Sequence, residues 1–365
     1  MTAGTLASLS NSVFASLGLS GVSDELGIGE SPSCRECIVL IDGMCSQLIA
    51  QYGREFPIFC QSIFEKELSS HFPTTTTVNL TSLATGVLPG IHGMLGYTVR
   101  VPRSGEPGRL LNALKWDERV DPLIWQSVPT LFERASAEGI STSQISAKRY
   151  EGTGFTRAAL RGANYVGANL ISEISDEAAK VLRKEKSFAY VYINHLDVAG
   201  HEDGVGSEKW LLALATVAKL LTELKEKLPP GTRVWVTADH GMVNADEIII
   251  FGKDNDLDKD VTLYGGEPRA RHLYVRDGAA RDVISRYRNY LGTKAEVLSK
   301  DEAISNNLFG NQMSIDSEER IGDIIVIANG GLILVDPERV KEEAGMVGHH
   351  GGLSEVERLI PLLAY

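Results

Sequence analysis

Several things are scarce in this 365-residue sequence, and each scarcity narrows what the chain does. Cysteine occurs only at Cys34, Cys37, Cys45 and Cys60, too few and too clustered to cross-link a chain of this length. Cys34 and Cys37 have the spacing of a redox or metal pair, but with no second such pair they read as ordinary thiols beside a first strand. No apolar run approaches the length of a membrane span, so no membrane partner is expected. Up to Leu19 no Lys or Arg precedes the apolar stretch; the basic flank of a secretory signal is missing, and a cytoplasmic location is the default expectation. Basic residues are outnumbered, 36 against 48 acidic, for a formal charge of −12. That balance argues against a nucleic-acid polymer as partner, because such binders concentrate Lys and Arg to displace counterions from phosphate. A small anionic substrate stays compatible, since bound dications would supply local positive charge.

What is present reads as a globular chain. Hydrophobic residues make up 43% and charged residues 23%, close to the soluble average. Residues 1–33 read as a polar N-terminal extension with a short helix and a Gly/Ser/Pro-rich end. The core then begins with Cys37 to Ile41, a continuously apolar, β-branched run suited to a strand buried on both faces of a parallel sheet. Similar runs lie at Phe188 to Ile193, Arg233 to Thr237 and Asp323 to Ile327. Between them, Leu214, Val217, Leu221, Leu224 and Leu228 recur at helical steps until Pro229-Pro230-Gly231 ends the pattern. Strand, helix, strand in this order predicts α/β architecture: a doubly wound, mostly parallel sheet with helices on both faces, over residues 34–365. The stretches near 97–165 and 253–268 break the rhythm and are expected to be small cap insertions.

In such sheets ligands bind beyond the carboxyl ends of the strands. Asp42, Asp197 and Asp239-His240 each follow one of these runs. Carboxylates converging on one edge repel unless cations lie between them. Asp197 and His201 stand four residues apart, on one side of a helical turn, a spacing that chelates zinc. Asp239 and His240 reach one ion only through the turn that Gly241 permits, and His350 adds a late imidazole before Gly351-Gly352. Singly, each of these is more often a helix cap or a surface pair; four such sites in order favour a metal centre. Thr74 to Thr77 precede a short helix predicted over Val78 to Ala84 and stopped by Gly86. A threonine therefore sits near a helix amino end, where amides and dipole favour an anion and a cation would hold the hydroxyl as an alkoxide.

This ordered set resembles the alkaline phosphatase superfamily, and within it the type I phosphodiesterase/nucleotide pyrophosphatase family. The resemblance rests on Asp42-Gly43, Thr76 to Gly86 with His92-Gly93, Asp197 to His201, Asp239-His240-Gly241 and His350-Gly351, spanning about residues 37–353. It implies two divalent ions, zinc with manganese as the alternative. Asp197, His201 and His350 would hold one; Asp42, Asp239 and His240 the other, with Thr76 as a further ligand. It also implies Thr76 as nucleophile, with Thr75 and Thr77 as alternatives, and Asn79 beside the phosphoryl oxygens. The family's T-F-P-N-H reads Thr76-Thr77-Val78-Asn79-Leu80 here, a departure in the substrate pocket. His349 is assigned to a position behind the ligands, and His92, His195 and His272 fit no ligand slot.

The expected activity is hydrolysis of phosphodiester or pyrophosphate bonds in a small phosphate-containing substrate such as a nucleotide, through a covalent phosphothreonine. Phosphonoacetate hydrolysis and phosphomonoesterase activity are the alternatives within the resemblance. A metal-stabilised binding module is the non-enzymatic one, and a nucleophile candidate argues against it. The nearest arginine after Thr76 is Arg100, so diesters are expected over monoesters unless Arg149, Arg157 or Arg269 folds inward.

Overall fold

The computed structural model describes residues 4–105 and 108–365. The strands that matter are, in chain order, β1 (Arg35–Ile41), β2 (Phe64–Ser69), β3 (Ser141–Ser146), β4 (Asn164–Gly167), β5 (Ser187–Ile193), β6 (Arg233–Thr237), β7 (Val261–Glu267), β8 (Ala270–Val275), β9 (Ala295–Ser299), β10 (Ile324–Ala328) and β11 (Leu359–Ala364). A seven-stranded sheet runs β2-β11-β6-β1-β5-β3-β4. β6, β1, β5, β3 and β4 run parallel to one another, whereas β11 is antiparallel to both β6 and β2. The chain is therefore an α/β fold on a mostly parallel sheet with flanking helices. Residues Cys37 to Ile41 of β1 are wholly buried, as a strand covered on both faces requires. Each such aliphatic side chain contributes roughly 1.5–3 kcal/mol by leaving water.

Four helices place the site: α1 (Leu6–Ser16), α2 (Thr76–Thr85), α3 (His195–Asp203) and α4 (Glu208–Lys227). α4 lies where the leucine spacing predicts it, begins at a Ser207 side-chain cap and packs on α3. α2 is longer than the expected Val78–Ala84. It starts at Thr76, because Thr75 takes the extended conformation of a cap, and ends where Gly86 turns left-handed at φ 71°.

Three expectations need correction. The N-terminal segment is not a mere extension: α1 buries Leu6, Leu9, Val13 and Phe14 completely and packs on α2. The segment 97–165 is not one cap, since β3 and β4 within it belong to the central sheet. Only parts of it stand outside the sheet, among them the hairpin Thr98–Val101 with Arg109–Asn112. The 323–327 run is likewise not a strand of the parallel sheet. It pairs in a separate antiparallel sheet, ordered β7-β8-β10-β9, with its own core around Phe251, Val283, Tyr287 and Leu334. Continuous hydrophobicity reports burial on both faces, and β10 is buried between two partners as fully as a parallel strand is.

Candidate metal and phosphoryl-transfer site

β6, β1 and β5 are consecutive in the sheet, and their carboxyl ends deliver Asp239-His240, Asp42 and, through the first turn of α3, Asp197. The close approach depends on two glycines. A Cβ on Gly43, at φ 76°, would stand 3.0 Å from Asp197 Cα; one on Gly241 would stand 1.9 Å from the Val356 carbonyl oxygen. His350 arrives from the far end of the chain, after Gly348–His349 pairs with Val243–Asn244.

The six side chains form two trios, Asp42 with Asp239 and His240, fully buried, and Asp197 with His201 and His350, half-buried. Within each trio the possible donor atoms lie within 4.8 Å of one another. His240 Nε2 is 3.4 Å from Asp42 Oδ1 and 3.6 Å from Asp239 Oδ2, and His201 Nε2 is 3.3 Å from Asp197 Oδ1. All three imidazoles are oriented alike. His201 Nδ1 lies 2.8 Å from the Gly348 carbonyl, His240 Nδ1 3.0 Å from that of Gly241, and His350 Nδ1 2.9 Å from that of Thr74. Each Nδ1–H thus donates to backbone, which turns Nε2 toward the carboxylates and, in the neutral imidazole, leaves it the lone pair a cation takes up. His350 stacks on His240 with centroids 3.8 Å apart.

The electrostatics call for positive charge. Burial, and then the Asp197 and Asp239 carboxylates, push Asp42 well above the usual carboxylate range. Burial raises Asp239 as well, against the pull of His240. Burial acts upward on Asp197 too, but His201, His350 and His240 outweigh it and hold its carboxyl far down. His201, which burial alone would lower, is pushed up to about 9 by Asp197, while burial and the two other imidazoles hold His350 well below its ordinary value. Asp197 Oδ1 and Asp239 Oδ2 are buried without a hydrogen-bond partner among the described residues. Carboxylate oxygens left unpaired beside Nε2 lone pairs fit a divalent cation.

Of the four consecutive threonines, Thr76 alone is not fully buried. Its Oγ1 stands 3.5 Å from both Asp42 oxygens and 3.2 Å from His240 Nε2. Thr77 donates to the Gly96 carbonyl, and Thr74 donates to Gly352 O while accepting from Gly351 N. The first intrahelical bond of α2 is Asn79 N to Thr75 O, so the amides of Thr76, Thr77 and Val78 are free of helical acceptors.

Asn79 departs from expectation. Its side chain is fully buried, its amide donates to the carbonyls of His71, Pro73 and Thr75, and its oxygen accepts from His71 N. It braces the loop ahead of Thr76 and has no donor left for a phosphoryl oxygen. His349 lies beside His201 but its Nε2 faces the Met346 carbonyl. His92 is held by Ser82 and Met94 N, and His272 by Gly322 N, all away from the trios. Cys34 and Cys37 are free thiols.

A family model described as type I phosphodiesterase / nucleotide pyrophosphatase matches residues 37–353. The chain belongs to this family. Among solved structures, murine ectonucleotide pyrophosphatase/phosphodiesterase 5 superposes with a TM-score of 0.71 at 16% identity, over 91% of this chain and 88% of that one. Phosphonoacetate hydrolase from Sinorhizobium meliloti 1021, in complex with phosphonoformate, gives 0.68 at 18% identity, over 92% and 90%. No match was found among curated proteins. The family is one of phosphoric-ester hydrolases, typically metal-dependent, and the Asp/His trios give this member a candidate metal site. No helix among the described residues is long and apolar enough to cross a membrane.

Three residues that border the site have no sequence signal. Tyr192 Oη, at the end of β5, donates to Asp42 Oδ2. Glu267, at the end of β7, accepts from Tyr97 N at 3.1 Å, and its other oxygen has no hydrogen-bond partner among the described residues. Arg339 lines a cavity of about 240 Å³ together with Thr76, Asp197, His201 and His350. Of the arginines considered from sequence, Arg269 is consumed by Glu357 and Leu332 O, and Arg100 lies over Tyr274.

Proposed function

We propose that this member hydrolyses phosphodiester or pyrophosphate bonds of a small substrate, with Thr76 as nucleophile and two divalent cations, zinc or manganese, held by the two trios. The observation that carries the reading is Thr76 Oγ1 beside Asp42 and His240, at the open amino end of α2. Bound cations would lower the hydroxyl pKa and offset charge on the phosphoryl oxygens. The Thr76 hydroxyl attacks phosphorus and gives up its proton to solvent water; a P–O bond to Thr76 forms as the bond to the leaving oxygen breaks, and that oxygen takes the electron pair and a proton back from water. Water then cleaves the phosphothreonine, releasing the phosphoryl product and restoring the hydroxyl. The free amides of Thr76, Thr77 and Val78 would receive phosphoryl oxygens in place of Asn79. An inactive variant of the murine relative holds AMP, a nucleotide monophosphate of the kind such a reaction would release.

A second reading, cleavage of a phosphonocarboxylate, is supported by the similarity to phosphonoacetate hydrolase and by Arg339 in the cavity. The test is Thr76→Ala. The variant should keep fold and metal content but lose at least about a thousandfold in kcat, and brief incubation of wild type with a slow diester should yield phosphothreonine on the peptide containing Thr76. Near-normal turnover in Thr76→Ala, with label on Thr75 or Thr77, would move the nucleophile.

A further inference from the structure

We infer that Arg339 is a specificity residue that selects substrates whose leaving portion carries a negative charge of its own, a phosphate or a carboxylate. The inference rests on the proposed reaction at Thr76. Two cavities, of about 240 and 150 Å³, meet at Thr76, with Asp197 and Leu114 shared by both walls. Thr76 faces Asp42 and His240, and an in-line displacement expels the leaving group on the side opposite the attacking oxygen. The trio that Thr76 does not face, Asp197, His201 and His350, is the one left to meet that group. All three line the larger cavity, and none of Asp42, Asp239 and His240 does.

Farther along that cavity stand Tyr97, Glu267 and Arg339. The Arg339 guanidinium lies over the Tyr97 ring at 5.7 Å, and the side chain is only 20% exposed. Its ion pairs, 3.5 Å to Glu342 and 3.6 Å to Glu343, are long beside the roughly 2.7–2.9 Å of a charge-assisted hydrogen bond. Both carboxylates are committed elsewhere. Glu343 pairs with buried Arg271 and accepts from Asp336 N at 3.0 Å, and Glu342 is shared with Lys115 at 3.2 Å. Arg271 and Glu343 cancel, while Arg339 and Lys115 share one carboxylate, which leaves one positive charge at this end against the Glu267 carboxyl. Burial pushes Glu267 up to about 7, which weakens its opposition to a bound anion. A planar fork fixed on an aromatic face, with donors not matched at short range, suits the bidentate recognition of phosphate or carboxylate.

The experiment compares kcat/KM of zinc-loaded wild type, Arg339→Gln and Arg339→Lys on three probes. Thymidine 5′-triphosphate has an anionic leaving group, and the p-nitrophenyl ester of thymidine 5′-phosphate has none beyond the departing oxygen. Phosphonoacetate supplies the carboxylate case; there the P–C bond breaks, and the carbon takes the electron pair and a proton from water. In Arg339→Gln the ratio of triphosphate or phosphonoacetate to nitrophenyl ester should fall at least about tenfold, with partial recovery in Arg339→Lys. Loss confined to one anionic probe identifies the anion read. Equal losses on all three probes, or no loss on any, would overturn the inference. So would a larger loss on the nitrophenyl ester than on the two anionic probes, which would put Arg339 on the reacting phosphoryl group. If wild type turns over none of the probes, the proposed function fails by itself. Calorimetric binding of α,β-methylene thymidine triphosphate then judges Arg339: about tenfold weaker binding to Arg339→Gln supports it, and equal binding overturns it.

Discussion

Glu267→Gln should stabilise the protein, and only at neutral and alkaline pH. Glu267 is 4% exposed, one oxygen accepts from Tyr97 N, the other has no partner among the described residues, and burial lifts its carboxyl from 4.5 to about 7. A carboxyl raised on folding contributes stability that is complete below its unfolded value and is lost as pH climbs through the folded one. The interval from 4.5 to about 7, at about 1.4 kcal/mol per tenfold, amounts to roughly 3 kcal/mol lost by wild type. Glutamine keeps the acceptor for Tyr97 N and has no proton to lose, so the variant escapes the penalty. For 365 residues the unfolding entropy is on the order of 0.8 kcal/mol per degree, and the difference appears as about 4 °C in Tm. Unfolding of both proteins would be followed from about pH 4.5 to about pH 8.5 in chelator, so that metal loading does not vary. The two should coincide at the acid end and diverge through neutrality, with the variant ahead. A difference independent of pH, or a variant that falls behind as pH rises, refutes the account of Glu267 as a buried acid.

Other outcomes follow from the same geometry. Dialysis against a strong chelator should abolish turnover and lower Tm, because the crowded Asp42, Asp197 and Asp239 lose their counter-charge; zinc or manganese should restore both, and full activity in metal-free protein would end the metal reading. Tyr192→Phe removes the hydroxyl that orients Asp42 and should weaken metal binding about 10- to 100-fold, read by chelator competition, while Tm of the metal-free protein stays within a few degrees. Bis-p-nitrophenyl phosphate should be cleaved with higher kcat/KM than p-nitrophenyl phosphate at one metal load, because cavities open on two sides of Thr76; a clear advantage for the monoester would reverse this.

The convergence of Asp42, Asp197 and Asp239 was legible because a polar residue directly after a buried apolar run has few places to be other than a strand end. That a threonine stands at a helix amino end was legible from the four threonines ahead of Gly86, and the family resemblance singled out Thr76 among them. Asn79 misled for a local reason. From sequence an amide three residues into a helix is free to point anywhere, whereas the loop from His71 to Thr75 surrounds it with carbonyls that take every donor. Tyr192, Glu267 and Arg339 left no trace, since the partners that reveal them, Asp42 for Tyr192 and Tyr97 for both Glu267 and Arg339, are distant in sequence and no spacing announces the contact. The antiparallel sheet was hidden because β10 buries both faces and so mimics a parallel strand. The hydroxyls of α1 looked like those of a solvated leader, yet its apolar face closes the core against α2.

Thr74 joins the two ends of the molecule, with its hydroxyl on Gly352 O and Gly351 N and its carbonyl on His350 Nδ1. On the ribosome, Asp42, Thr76, Asp239 and His240 emerge more than a hundred residues before His350 does. Neither trio is finished before the C-terminal segment docks: His350 belongs to the half-buried one, and the turn after His240 is held by Gly241 N on the Glu357 carbonyl. Until the C-terminal loop reaches Thr74, the candidate metal site, drawn from both halves of the chain, is therefore incomplete.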